Sequence, residues 1–80
     1  MTTIAKRDGF TLYERPDRAS PPWRSFKLVG RTGRKRNWWL GWNGERLARN
    51  SDTVLLAEHR PEVHAWVLEV LAGLGSEVAS

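Results

Sequence analysis

Asn37-Trp38-Trp39-Leu40-Gly41-Trp42-Asn43-Gly44 crowds three tryptophans and a leucine into six residues and then breaks at Asn-Gly. Aromatics at this density favour an extended strand, here about 36–42, and Asn-Gly is the strongest short hairpin signal known in sequences. A further strand over about 45–49, short and polar, is expected to follow. Upstream, Gly30-Arg31-Thr32-Gly33 supplies turn chemistry, and Trp23 to Val29 alternates through Phe26 and Leu28 as a strand over 23–30. Before that, Arg15-Pro16-Asp17-Arg18-Ala19-Ser20-Pro21-Pro22 holds three prolines and reads as a surface loop. The alternating Phe10-Thr11-Leu12-Tyr13-Glu14, placed after the turn pair Asp8-Gly9, reads as the first strand, 10–14. Residues 1–8 are then expected to be a loosely ordered N-terminus.

Downstream of residue 51 the period changes. Ser51 or Asp52 can cap a helix over 52–59, and Pro61 suits the first position of a second helix over 61–73. There Val63, Trp66, Val67, Val70, Leu71 and Leu74 form one apolar stripe, with Gly73 and Gly75 as its stop and 74–80 as a frayed tail. Strands followed by helices define an α+β fold, three to four antiparallel strands with two C-terminal helices on one face. Eighty residues suffice for one such domain and no more.

Strand parity divides the sheet into two faces. Phe10, Leu12, Phe26, Leu28, Trp38, Leu40, Trp42 and Leu47 share one, which the helices bury. The other carries Thr11, Tyr13 and Arg15, then Lys27, Val29 and Arg31, then Asn37, Trp39 and Asn43, then Arg46 and Ala48. Trp39 stands among cations on a solvated face, as a stacking or partner-contacting residue does; a tryptophan that merely covers the sheet fits the same position.

Charge sharpens this. Residues 1–49 hold twelve of the thirteen Lys and Arg against Asp8, Glu14, Asp17 and Glu45, a formal +8. Residues 50–80 hold Arg60 against five carboxylates, a formal −4. Ten of the cations are Arg, whose planar fork suits phosphate, guanine edges and carboxylates. The hairpin segment 30–36 is the densest cationic run, and Arg24, Lys27, Arg46 and Arg49 lie on neighbouring strands. The expected site is therefore Lys27, Arg31, Arg34, Lys35, Arg36, Trp39 and Arg46. It serves either a nucleic acid or, in the competing reading, an acidic protein partner. The first reading requires the C-terminal carboxylates to lie behind the sheet; the second does not.

Trp23 to Trp42, a basic hairpin running into Trp38-Trp39-Leu40-Gly41, locally resembles the three-stranded DNA-binding sheet of the AP2 type. The resemblance implies that a strand-based reader of nucleic acid is physically feasible. It stops at Asn43-Gly44, and no residue roles carry across.

Catalytic signals are weak. His59 and His64 stand five apart across Pro61, which no helical metal pair matches, and neither a Gly-x-Ser-x-Gly elbow nor a phosphate-binding Gly-x4-Gly-Lys run occurs. Glu58, Glu62 and Glu69 read as solvated helix positions. A non-enzymatic protein without metal or cofactor is expected. The absence of cysteine, of a signal-like N-terminus and of an apolar span points to a soluble, intracellular, cytoplasmic protein with no membrane contact. Pairing of two copies through an exposed edge strand stays open.

Overall fold

The computed structural model describes residues 1–79, with side chains through Leu74. Strands β1 (Thr2–Arg7), β2 (Phe10–Glu14), β3 (Arg24–Thr32) and β4 (Lys35–Trp42) form an antiparallel meander in that spatial order. Helices α1 (Ser51–His59) and α2 (Pro61–Ala79) follow, so the fold is α+β.

Two tight turns set the registers. Asp8 (φ 50°) and Gly9 (φ 84°) both adopt the left-handed conformation and join Arg7 to its partner Phe10. Two positive φ values in a two-residue loop are the pattern of a type I′ hairpin, whose twist matches that of the strands. Thr32 pairs with Lys35 across Gly33-Arg34, where only Gly33 (φ 60°) is left-handed, the type II′ pattern. Residues 2–7 are thus a strand rather than a loose N-terminus. Gly30 lies inside β3 rather than in the turn.

The segment 45–49 is not a strand. Asn43 Oδ1 accepts from the backbone N–H of both Glu45 and Arg46 at 2.9 and 2.8 Å, and this side-chain turn leaves one isolated bridge, Trp42 to Leu47. The fourth strand of the sheet is β1, at the opposite edge. The chain then reaches α1, whose cap is Asn50 rather than Ser51 or Asp52: its Oδ1 accepts from Thr53 N–H at 2.8 Å. Pro61 opens α2 as expected. That helix does not stop at Gly73 or Gly75 but continues to Ala79. Leu74 packs against the core, and tertiary packing outweighs the roughly 1 kcal/mol helix penalty of a glycine. Of the expected frayed tail, Ser80 lies outside the described residues.

Parity sorted the faces correctly. Phe10, Leu12, Phe26, Leu28, Trp38, Leu40, Trp42 and Leu47 are all buried, against Leu56 of α1 and Val63, Trp66, Val67 and Leu71 of α2. Trp38 also donates from Nε1 to Gly30 O at 3.2 Å.

Both sheet edges need management, because an outer strand presents unpaired backbone groups. On β4, Trp39 N–H donates to Asp52 Oδ2 at 2.7 Å and Trp39 O accepts from Asn50 Nδ2 at 3.1 Å. Gly41 O accepts from Ala48 N–H at 2.8 Å. The stretch 48–52 therefore closes this edge. On β1 the outer side has no neighbouring strand; a register shift between Thr3 and Ala5 and the exposed Lys6 and Arg7 interrupt it instead.

Candidate functional site on the open sheet face

With the helices on one side, the other side of the meander is open. Register places Thr3, Tyr13, Lys27 and Trp39 in one row across all four strands. Trp39 is 42% exposed although its backbone is pinned at both N–H and C=O by Asp52 and Asn50. An indole held this way is offered to solvent on a rigid strand rather than on a loop.

The next row explains how its cations reach it. Arg15 N–H donates to Ser25 O at 2.8 Å, and Ser25 pairs with Gly41. Gly41 itself is covered by Ala48 and Trp23. The Arg15 guanidinium carbon sits 4.5 Å from the Trp39 ring centroid, and Lys27 Nζ sits 5.1 Å from it. Each contact is a cation–π pair worth roughly 0.5–1 kcal/mol at an exposed site.

The open face gathers positive charge. Lys6 pairs with Thr11 and so shares this side with Arg15 and Lys27; Arg31 is exposed at the hairpin end, where a register shift between Val29 and Thr32 interrupts the alternation. Glu14 is in step with buried Leu12 and turns away to Arg24, whose Nε and Nη2 each donate to it at 2.8 Å. That bidentate bond raises the Arg24 pKa, against the opposing effect of burial. Glu58, Glu62 and Glu69 are exposed on the helices, the layer behind the sheet. Glu62 is held below the ordinary carboxylate range by the hydrogen bond from Arg60.

The expected site residues do not all meet. Lys27 and Trp39 belong to the open face, whereas Arg31 lies within the register shift between Val29 and Thr32, where alternation no longer fixes a side. Arg34 and Arg36 are exposed at the hairpin and, among the described residues, form no ion pair. Lys35 is committed elsewhere: its Nζ lies 2.8 Å from Asp52 Oδ1 and 5.1 Å from the Trp38 ring centroid, so it locks α1 onto β4. Arg46 lines a cleft with His64 and Leu68 of α2, because the chain turns away after Asn43. Tyr13 and Arg15 join the site in their place. Both were on the open face by parity, but Arg15 precedes Pro16 and reads as part of the loop. Its place in the alternation after Thr11 and Tyr13 was the signal.

Among the described residues no group of three or more His, Cys, Asp or Glu could hold a metal ion, and no helix is long and apolar enough to cross a membrane. The chain matches no known family, no curated protein and no solved structure.

Proposed function

We propose that the open sheet face binds nucleic acid, with single-stranded segments as the preferred form. The observation that carries this reading is Trp39, exposed on a rigid strand with Arg15 and Lys27 stacked on it, on the face opposite the helices that carry Glu58, Glu62 and Glu69. An unpaired base has a free ring face that can extend the Trp39–Arg15 stack, and a broad antiparallel sheet offers the flat support that splayed bases need. A duplex hides those ring faces. Phosphates then run toward Lys27, Arg31, Arg34 and Arg36, sequence-independent contacts that set affinity rather than preference.

The test is a fluorescence titration with single-stranded DNA, RNA and duplex DNA at several salt concentrations. About four neutralised phosphates on a single strand give a slope of log K against log salt near −3, hence roughly fifty-fold weaker binding at 200 than at 50 mM. The expected order is single strand over duplex. Absence of binding to every nucleic acid at low salt would remove the proposal and leave an acidic protein as the partner to seek.

A further inference from the structure

We infer that a second site, independent of the sheet face, binds a small amphipathic anion: an oxyanion head, carboxylate or phosphate monoester, on an apolar body. The site is the cleft of about 640 Å³ between the segment 46–49 and α2. This volume falls within the roughly 300–1,000 Å³ of small-molecule sites. Trp23 and Ala48 separate it from a smaller cleft of about 270 Å³ that opens beside Trp39.

Two features fit this ligand. Trp23, Leu47 and Leu68 give the cleft an apolar wall, which takes the body of the ligand. Arg46, Arg49 and His64 also line it, and no carboxylate does. Among the described residues neither arginine has an ion pair, so both guanidinium forks are free for the bidentate contacts that carboxylates and phosphates accept.

Isothermal calorimetry and amide NMR with decanoate, decyl phosphate, decanol and acetate test this. One of the two long-chain anions should saturate a single site, with shifts at residues 46–49, Thr53, His64 and Leu68. Decanol lacks the head and acetate the body, so each should bind at least about tenfold more weakly. Tighter binding of decyl phosphate assigns the natural head as a phosphate monoester; tighter binding of decanoate assigns a carboxylate. Arg46→Gln/Arg49→Gln should lose about tenfold or more in affinity while keeping its melting temperature, since exposed charges contribute little to stability. No saturation by either anion at millimolar concentration, equal binding of decanol, unchanged affinity in the Arg46→Gln/Arg49→Gln variant, or shifts confined to the open sheet face overturns the assignment.

Discussion

Gly30→Ala adds one methyl group to a buried strand position, and the structure says where it goes. The backbone there is ordinary extended strand, so the constraint is space rather than φ. A Cβ built on Gly30 lies 2.2 Å from Phe10 Cδ1 and 2.6 Å from both Cγ and Cε1. These distances are more than an ångström short of ordinary contact at the nearest atom, and the obstacle is the body of a ring, not the end of a flexible chain. Phe10 is 2% exposed, with the Arg60 guanidinium 5.1 Å from its ring centroid, so it has little freedom to slide aside. Overpacking of this kind costs about 1–3 kcal/mol, and the Gly30 carbonyl that accepts from Trp38 Nε1 shifts with it. At about 4–8 °C per kcal/mol for a domain of this size, a loss near 2 kcal/mol lowers the melting temperature by roughly 8–16 °C. Circular dichroism melts and urea titrations measure this. Phe10→Leu in the same chain should relieve the clash, so the double variant loses less than the sum of the single losses, by about 0.5 kcal/mol or more. A Gly30→Ala melt within 2 °C or so of the parent, or strict additivity in the double variant, would refute the argument.

Other outcomes follow from contacts already described. Trp38→Phe loses volume and leaves Gly30 O without its donor, whereas Trp42 Nε1 is buried with no partner, so Trp42→Phe should be the milder change by about 1 kcal/mol in urea unfolding. Trp39→Ala should stay folded, since the indole is half exposed, and lose roughly 1–3 kcal/mol of nucleic-acid affinity with the salt slope nearly kept. Replacing Arg34 and Arg36 by Gln should instead lower that slope by about 1.4, at near-parent melting temperature. Glu62 should titrate below the usual Glu range by NMR, and Arg60→Gln should raise it toward that range while the backbone hydrogen bond at Glu62 still lowers it. Because the folded pKa is depressed, the contribution of this pair to stability is present above the ordinary Glu pKa and fades as pH falls through the folded one, with Arg60→Gln weakening that dependence.

The parts of the fold that parity governs were readable in the sequence. In β2, β3 and β4 the alternation runs unbroken over Phe10-Leu12, Phe26-Leu28 and Trp38-Leu40-Trp42, and a period of two leaves no choice of face. The strand β1 escaped because the register shift between Thr3 and Ala5 breaks the alternation and its side chains are mostly polar. Asp8-Gly9, a type I′ pair, nonetheless implies a strand before it as well as after. The false strand over 45–49 arose from reading Asn43-Gly44 as a two-residue hairpin, when the Asn43 side chain spends its oxygen on Glu45 and Arg46. That one turn also misplaced Arg46. Lys35 was misjudged for a different reason: its partner Asp52 is distant in sequence, and a cation's availability depends on where the anions fold to.

The asymmetry between the two outer strands limits how copies of this protein can associate. On β4 the outward backbone groups of Trp39 and the carbonyl of Gly41 are taken by Asn50, Asp52 and Ala48, whereas among the described residues no such bond covers the outer side of β1. Pairing of β1 with β1 is a two-fold, self-complementary contact, and it consumes the free edge of each copy at once. A sheet extended this way keeps its open faces continuous across the junction.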